Sequence, residues 1–443
     1  MGGSSAEAGT GCARDPTVGH FGVGSHLRSS TTMVYKTLHA PAYLDHNATT
    51  KLWPEAKEAL RPFLEGELHG NPSSSHATGR AARQMVEHAR KHVARLVGAR
   101  SEQEILFCSC GTEADNHALH GAIELWRRKN PNKDKQHGRE RSILPHVVTG
   151  GVEHDAVLKW LQHYQDEGRL TYTAVPPDAN GLITPHRIQM ALQENTALVT
   201  VMHSNNEVGT LQPVQEIATV AKESGALVHC DAAQSCGKVP IDVRTLGVDL
   251  LTIVGHKFGA PKGVAALYIR SELEPFPALL IGGGQEGGRR SGTENTLLIA
   301  ALGAVAEAAV KEGGRFQDHM RATRDRLWLN LKEGIPQSAR LRLHSPINVK
   351  EAGCLPNTLS IGMVGINARK LLQEVEGEVE ASGGSACHGD GTPVSPVLTA
   401  MGVPTEYLAG TLRLSTGRDT TFEEIEAASQ ALVKAVQSQL LHA

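Results

Sequence analysis

Short apolar runs alternate with amphipathic stretches along most of the chain. The runs are rich in Val, Ile and Leu and predict buried strands at 104–108, 146–149, 197–202, 226–230, 249–254, 264–269 and 411–415. Apolar residues at helical spacing predict a helix over 81–96 and another that follows residue 112. Alternation of this kind favours an α/β fold with a mostly parallel sheet covered by helices.

Two polar residues stand where predicted strands end. Asp231 follows the run at 226–230, and Lys257 follows the run at 249–254. Ligands of open α/β sheets bind at the carboxyl ends of the strands. An amine and a carboxylate there suit pyridoxal 5'-phosphate (PLP). The amine forms a Schiff base with the PLP aldehyde, and the carboxylate pairs with the charged ring nitrogen. The alternative is a surface lysine and a helix-capping aspartate.

Further candidate residues follow other predicted strands. Gly111 and Thr112 open a predicted helix, where free N–H groups and the helix dipole favour a phosphate. An ordinary helix cap by Thr112 is the alternative. His154 follows the run at 146–149 and could stack on an aromatic ring, although a lone histidine usually has no such role. Asn206 follows the run at 197–202, where asparagines often form only a turn.

Taken together, the motifs of the chain resemble one protein family. In order along the chain they are residues 43–50, 70–74, 111–113, 152–154, 205–209, 231–234, 255–257, 290–295, 384–387 and 412–418. This set is similar to the cysteine desulfurases and selenocysteine lyases of the class V aminotransferase group. The resemblance implies a PLP-dependent transferase fold of type I, with a large sheet domain and a smaller α/β C-terminal domain.

The same resemblance assigns cofactor contacts. Lys257 would hold PLP covalently and move protons on the substrate, and Asp231 would pair with the ring nitrogen. Gln234 would contact the ring hydroxyl, and His154 would stack on the ring and assist proton transfer. The phosphate would be bound by Gly111, Thr112, His256 and, from the other subunit of a homodimer, Thr293.

The resemblance also assigns substrate contacts. Asn206 and Arg413 would hold the substrate carboxylate, a task that suits a bidentate guanidinium. Cys387 would be the catalytic cysteine on a glycine-rich loop. Val254 departs from the pattern, because many desulfurases have a serine at this position, whose hydroxyl would contact the phosphate.

Three functions remain open at this stage. The first is a lyase that converts L-selenocysteine to L-alanine and releases selenium, favoured by Val254 and by His388 next to Cys387. The second is a cysteine desulfurase that converts L-cysteine to L-alanine and leaves a persulfide on Cys387. The third is a non-catalytic PLP-fold protein that acts as a partner. Both enzyme interpretations allow a protein acceptor for the sulfur or selenium.

The resemblance and the composition suggest three parts. Residues 1–40 are rich in Gly, Ser, Thr and Ala and predict a disordered tail, or alternatively an organellar transit peptide. Residues 55–313 would form the large PLP-binding domain. Residues 41–54 and 314–443 would form the small domain.

Composition excludes several other classes. The 443 residues carry a net charge of −3, so we predict no nucleic-acid or membrane partner. Seven cysteines without a CxxC motif favour a reducing compartment, and we predict a cytoplasmic protein. We predict no metal site, since we find no HExxH motif and no paired histidines that mark one among the 22 histidines. The glycine run at 282–288 fits GxGxxG, but polar residues rather than an amphipathic helix follow it.

Overall fold

The computed structural model describes residues 41–131, 143–349, 353–383 and 395–442. The predicted tail at 1–40 and the loop that carries Cys387 and His388 therefore lie outside the described residues. Within the described ranges, every helix is too short or too polar to traverse a lipid bilayer.

The described residues contain strands and helices in alternation. The strands are β1 (Ala42–Tyr43), β2 (Ile105–Cys108), β3 (His146–Gly150), β4 (Thr171–Val175), β5 (Thr196–Met202), β6 (Leu227–Asp231), β7 (Leu250–Val254), β8 (Ala265–Ile269), β9 (Arg342–Leu343), β10 (Thr358–Gly362), β11 (Val379–Glu380) and β12 (Leu412–Ser415). The α-helices are α1 (Pro54–Leu64), α2 (Ala77–Leu96), α3 (Gly111–Lys129), α4 (Asp155–Asp166), α5 (Pro185–Ala191), α6 (Val214–Glu223), α7 (Val243–Leu246), α8 (Thr296–Gly334), α9 (Ala368–Glu374), α10 (Pro396–Ala400), α11 (Thr405–Leu408) and α12 (Phe422–Leu441).

A seven-stranded sheet dominates the fold, with strand order β2-β8-β7-β6-β5-β3-β4. Strands β3 to β7 pair in parallel, whereas β8 is antiparallel to both of its neighbours, β7 and β2. Every strand of this sheet except β8 therefore runs in the same direction. The predicted α/β class with a mostly parallel sheet is confirmed.

Helices cover both faces of this sheet, so its strands are buried on both sides. Along β3, Val147 packs into the core on one face, and the next residue, Val148, packs into the core on the other. The same alternation occurs at Leu250 and Leu251 on β7. Burial on both sides explains why these strands appear in the sequence as continuous apolar runs rather than as alternating ones.

A second hydrophobic core forms around smaller sheets. Strands β9, β10 and β12 make an antiparallel sheet, and β1 pairs in parallel with β11. Leu359 and Leu414 of this region pack with Leu432 of α12 and with Leu327 near the end of α8. The earlier turns of α8 instead pack into the core of the large sheet. The division into 41–54 with 314–443 and 55–313 stays a prediction.

The predicted elements lie where the sequence places them, with small shifts at their ends. The helix expected over 81–96 begins earlier, at Ala77, because the side chain of His76 caps it by accepting from the Gly79 N–H at 3.3 Å. The first turn of this helix has few bulky apolar residues, so hydrophobic spacing does not mark its start.

Candidate active site

A cavity of about 550 Å³ lies at the edge of the large sheet where its parallel strands end. This volume is within the usual range for small-molecule sites. The predicted site residues that line it are Gly111, Thr112, His154, Asn206, Asp231, Gln234, His256, Lys257 and Arg413. The fold therefore brings together residues that are separated by up to about 300 positions in the chain.

Lys257 stands in a single 3₁₀ turn directly after β7. Its Nζ donates to the backbone carbonyl oxygens of Asn47 at 2.8 Å and Ala48 at 2.9 Å. Burial, reinforced by the nearby Arg413, lowers the pKa of Lys257 to about 8, although Asp231 acts in the opposite direction. A larger share of this amine is therefore neutral, and so nucleophilic, near pH 7 than of an ordinary lysine.

Asp231 is the last residue of β6 and pairs across the sheet with Met202 and Thr252. Its Oδ1 accepts a hydrogen bond from the Ala233 N–H at 2.9 Å. Burial raises the pKa of this carboxyl, and the Ala233 N–H, His154 and Lys257 counteract the rise. A cationic ring N–H placed against Asp231 would favour its ionised form further.

A second buried carboxyl, Asp115, lines the same cavity. Its Oδ1 lies 3.7 Å from Nε2 of His229, whose two ring nitrogens contact the hydroxyls of Thr200 at 2.8 Å and Thr252 at 3.1 Å. Burial lowers the pKa of His229 to about 3, and burial together with Asp231 raises the pKa of Asp115 well above its usual range. Both shifts favour the neutral forms of Asp115 and His229 in this contact.

The N-terminus of α3 forms another wall of the cavity. The side chain of Cys110 makes no capping hydrogen bond there, so the first backbone N–H groups of this 19-residue helix are available to an anion. Gly111 permits the close approach of β7, because a Cβ at this position would lie 2.7 Å from Cγ2 of Val254. Thr112, with an exposed side chain, adds a hydroxyl to the first turn.

Two histidines, His256 and His154, also line the cavity. Burial and the neighbouring Lys257 lower the pKa of His256 to about 4, so this ring can offer an anion a hydrogen bond but no charge. His154 caps α4, and its Nδ1 accepts from the Ala156 N–H at 3.1 Å. The neutral His154 ring therefore carries its proton on Nε2.

Arg413 lies at the opposite side of the site on β12. Its Nη2 donates to Oδ1 of Asp45 at 2.8 Å, and its Nη1 donates to the backbone carbonyl of Asn206 at 3.3 Å. Nε of Arg413 is buried and makes no hydrogen bond within the part of the chain that the structure describes. This guanidinium can therefore donate hydrogen bonds to a bound carboxylate while it keeps its contact with Asp45.

Asn47 belongs to the site, although the sequence assigned it no role. Its backbone carbonyl accepts from Lys257 and, at 2.9 Å, from Nε2 of Gln234. Its side-chain oxygen accepts from Lys238 at 3.1 Å and from Nδ2 of Asn357 at 3.0 Å. The only sequence signal was its place in the motif at 43–50, which carries no residue roles by itself.

Lys238 was also missed, since a lone lysine in a sequence is usually exposed. It is only 3% exposed here, and its Nζ donates to Oε1 of Gln234 at 2.9 Å. Burial lowers the pKa of this amine well below its usual range. Because Lys238 engages the Gln234 oxygen and Asn47 accepts one amide hydrogen, the second amide hydrogen of Gln234 is left for a ligand.

Among the described residues, one predicted site residue does not line this cavity. Thr293 is exposed and is not among the lining residues. Its segment is tied to the first turn of α3 by Arg290, whose Nε donates to Glu113 at 2.8 Å. Cys387 lies outside the described residues.

Comparison with known proteins finds a matching family model and several similar proteins. The family model for aminotransferase class-V matches residues 42–428. The chain is 38% identical over 413 residues to a selenocysteine lyase of Bos taurus, covering 89% of this chain and 93% of that protein. It is 40% identical over 403 residues to a cysteine desulfurase of Trichormus azollae, covering 89% and 92%. A solved structure of a NifS-like protein superposes with a TM-score of 0.78 at 31% identity, covering 90% of this chain and 100% of that one.

The hydrogen bonds of Lys238 predict its contribution to stability. In Lys238→Met, the buried oxygens of Gln234 and Asn47 lose a donor, and we expect the free energy of unfolding to fall by about 1–3 kcal/mol. Lys222→Met, at an exposed lysine, is the matched control and should stay within about 0.5 kcal/mol of the wild type. Urea denaturation of the three proteins measures both effects. Equal stability of the two variants would contradict a role for the Lys238 hydrogen bonds.

Proposed function

We propose that this chain, which belongs to the aminotransferase class-V family, is a PLP-dependent lyase that converts L-selenocysteine to L-alanine and releases selenium. The observation that carries the proposal is the meeting of Lys257 and Asp231 in one cavity with the uncapped N-terminus of α3. These are an amine, a carboxylate and an anion site, which are the three partners that PLP requires. The similarity to the bovine selenocysteine lyase supports the choice of substrate.

The residues of the cavity fit PLP group by group. Asp231 would hold the proton of the ring nitrogen, and the free amide hydrogen of Gln234 would reach the ring hydroxyl. The phosphate would accept from the Gly111 and Thr112 end of α3 and from the neutral ring of His256. When bound, PLP supplies an aldehyde that attaches to amines and a ring that withdraws negative charge from the substrate Cα.

The protein's own groups then handle the substrate and its protons. Arg413 binds the substrate carboxylate through a guanidinium that is already fixed by Asp45, and the neighbouring Asn206 adds a polar contact. Lys257, with its lowered pKa, accepts the Cα proton as a neutral amine and returns it at the end of turnover. His154 donates from Nε2, because Nδ1 is occupied by the Ala156 N–H.

A cysteine desulfurase is the second candidate function. The 40% identity to the desulfurase of Trichormus azollae favours it. In that case Cys387 takes the sulfur of L-cysteine as a persulfide and passes it to an acceptor protein. In the lyase, the electron pair of the broken Cβ–Se bond stays on Cβ, which takes a proton to give alanine, and selenium leaves at the elemental oxidation level; Cys387 would then assist the proton transfer rather than bind the chalcogen. A non-catalytic partner protein has less support, because the cavity retains an amine, carboxylate and guanidinium arranged for substrate chemistry.

We further propose that the protein is a homodimer in which Thr293 completes the phosphate site of the partner subunit. The exposure of Thr293 and its place outside its own cavity support this arrangement. Sedimentation should show a dimer at assay concentrations, and Thr293→Ala should release PLP more readily than the wild type while remaining dimeric. An active monomer would rule the arrangement out.

The lowered pKa of Lys257 predicts how the attachment of PLP depends on pH. Only the neutral amine attacks an aldehyde, so the rate of covalent attachment to apoprotein should rise with pH and level off above an inflection near pH 8. Arg413→Gln removes a nearby positive charge and should move this inflection to higher pH. Lys257→Ala should show no covalent attachment. Stopped-flow visible absorbance measures the rates, and an inflection at the same pH in wild type and Arg413→Gln would contradict this electrostatic account.

Turnover of two substrates separates the two candidate functions. In a desulfurase, Cys387→Ala should abolish alanine release from L-cysteine, because the sulfur has lost its acceptor. In a selenocysteine lyase, the variant should keep part of its activity on L-selenocysteine, since the Cβ–Se bond is weaker than the Cβ–S bond and selenium can leave without a covalent acceptor. Cys354→Ala, at a cysteine outside the cavity lining, is the control. Alanine release under anaerobic conditions is the measurement. Equal loss on both substrates, with a wild type that prefers cysteine, would leave the desulfurase as the function.

A further inference from the structure

Three side chains that can bind metal ions meet on the surface between α2 and α8. His88 and His92 are one turn apart on α2, and Glu307 faces them from α8. Nε2 of His88 lies 3.0 Å from Nε2 of His92, which in turn lies 3.9 Å from Oε2 of Glu307. All three atoms lie within 4.8 Å of one another.

We propose that His88, His92 and Glu307 form a binding site for Zn²⁺ that links α2 to α8. Two imidazoles and a carboxylate are ligands that Zn²⁺ accepts, and water would occupy the fourth tetrahedral position. Nitrogens bound at about 2.0–2.1 Å in a tetrahedral site stand about 3.3 Å apart, so the two Nε2 atoms are already close to ligand geometry. The side chain of Glu307 is exposed, and its Oε2 lies slightly farther away, 3.9 Å from Nε2 of His92.

The state of the histidines is compatible with metal binding. A histidine ligand must be neutral, because a protonated ring nitrogen has no lone pair. Burial lowers the pKa of His92, and His88 and Arg95 lower it further against the opposing effect of Glu307. Packing also limits the movement of His92, which is buried, so at least one ligand is held in place before the ion arrives.

Because the proposed site joins two helices, a bound ion would affect the stability of the folded protein. α2 packs along α8, and α8 continues from the core of the large sheet into the second core. An ion held by residues of both helices would stabilise the folded state, because the unfolded chain does not hold the three ligands together. The site lies outside the residues that line the active-site cavity.

The sequence-based expectation of no metal site overlooked this histidine pair. His88 and His92 have the i, i+4 spacing that places two ligands on one helix face. The third ligand is about 200 positions away in the chain, so no local motif could include it.

Titration of the PLP-loaded protein with Zn²⁺ alone, followed by calorimetry, tests the proposal. His88→Ala removes an exposed ligand without disturbing the core and should weaken Zn²⁺ binding by on the order of 100-fold. Glu307→Gln should weaken it by on the order of tenfold. His163→Ala is the matched control, because His163 is an exposed histidine beside a glutamate, Glu167, and does not belong to the proposed site.

The expected result is one Zn²⁺ per chain in the wild type and in His163→Ala, with a melting temperature that rises with Zn²⁺ in both. His88→Ala and Glu307→Gln should lose most of this rise. Zinc bound to cysteine thiols would remain in every variant and so would be recognised as background. Wild-type affinity and stoichiometry in both His88→Ala and Glu307→Gln would overturn the proposal, as would a wild type that binds no more Zn²⁺ than His88→Ala.

Discussion

The hydrogen bonds of Asn47 are the constraint on which the rest of the site depends. Through its backbone carbonyl it holds Lys257 and Gln234, which follow strands of the large sheet, and through its side chain it holds Lys238 and Asn357. Asn357 directly precedes β10 of the second core. A single buried residue near the start of the described chain thus joins the carboxyl ends of the large sheet to the small sheet that carries Arg413.

Burial then sets the charge of each group in the cavity. It favours the neutral forms of Asp115 and His229, whereas at Asp231 the Ala233 N–H, His154 and Lys257 counteract the effect of burial. It also lowers the pKa of Lys257 to about 8, so a larger share of this amine is in the neutral form that attacks an aldehyde. The same desolvation leaves His256 as a neutral donor. Removal from water therefore shifts Lys257 and His256 toward their neutral forms, while the contacts of Asp231 oppose the same effect on that carboxyl.

The side chain of Val254 packs against the start of α3. A serine there would offer a hydroxyl to the phosphate, but the valine side chain instead fills the space beside the Cα of Gly111. The contact seats α3 against the end of β7, so the N–H groups of its first turn remain at the cavity. We infer that the phosphate site relies on the helix terminus, Thr112 and His256 rather than on a hydroxyl from residue 254.

The sequence by itself determined most strands of the large sheet, the mostly parallel arrangement and most of the candidate site, but it did not mark β4 or the short strands β1, β9, β10 and β11. Continuous apolar runs mark strands buried on both faces, and Asp231, His154 and Lys257 follow such runs closely enough to be recognised. Only the tertiary structure decided the roles of Asn47, Lys238 and Asp115, and it alone brought Glu307 to His88 and His92. Those contacts join residues far apart in the chain, and local patterns do not encode them. The protonation states were likewise beyond the sequence, because they depend on how completely each group is removed from water and on which charges the fold places beside it.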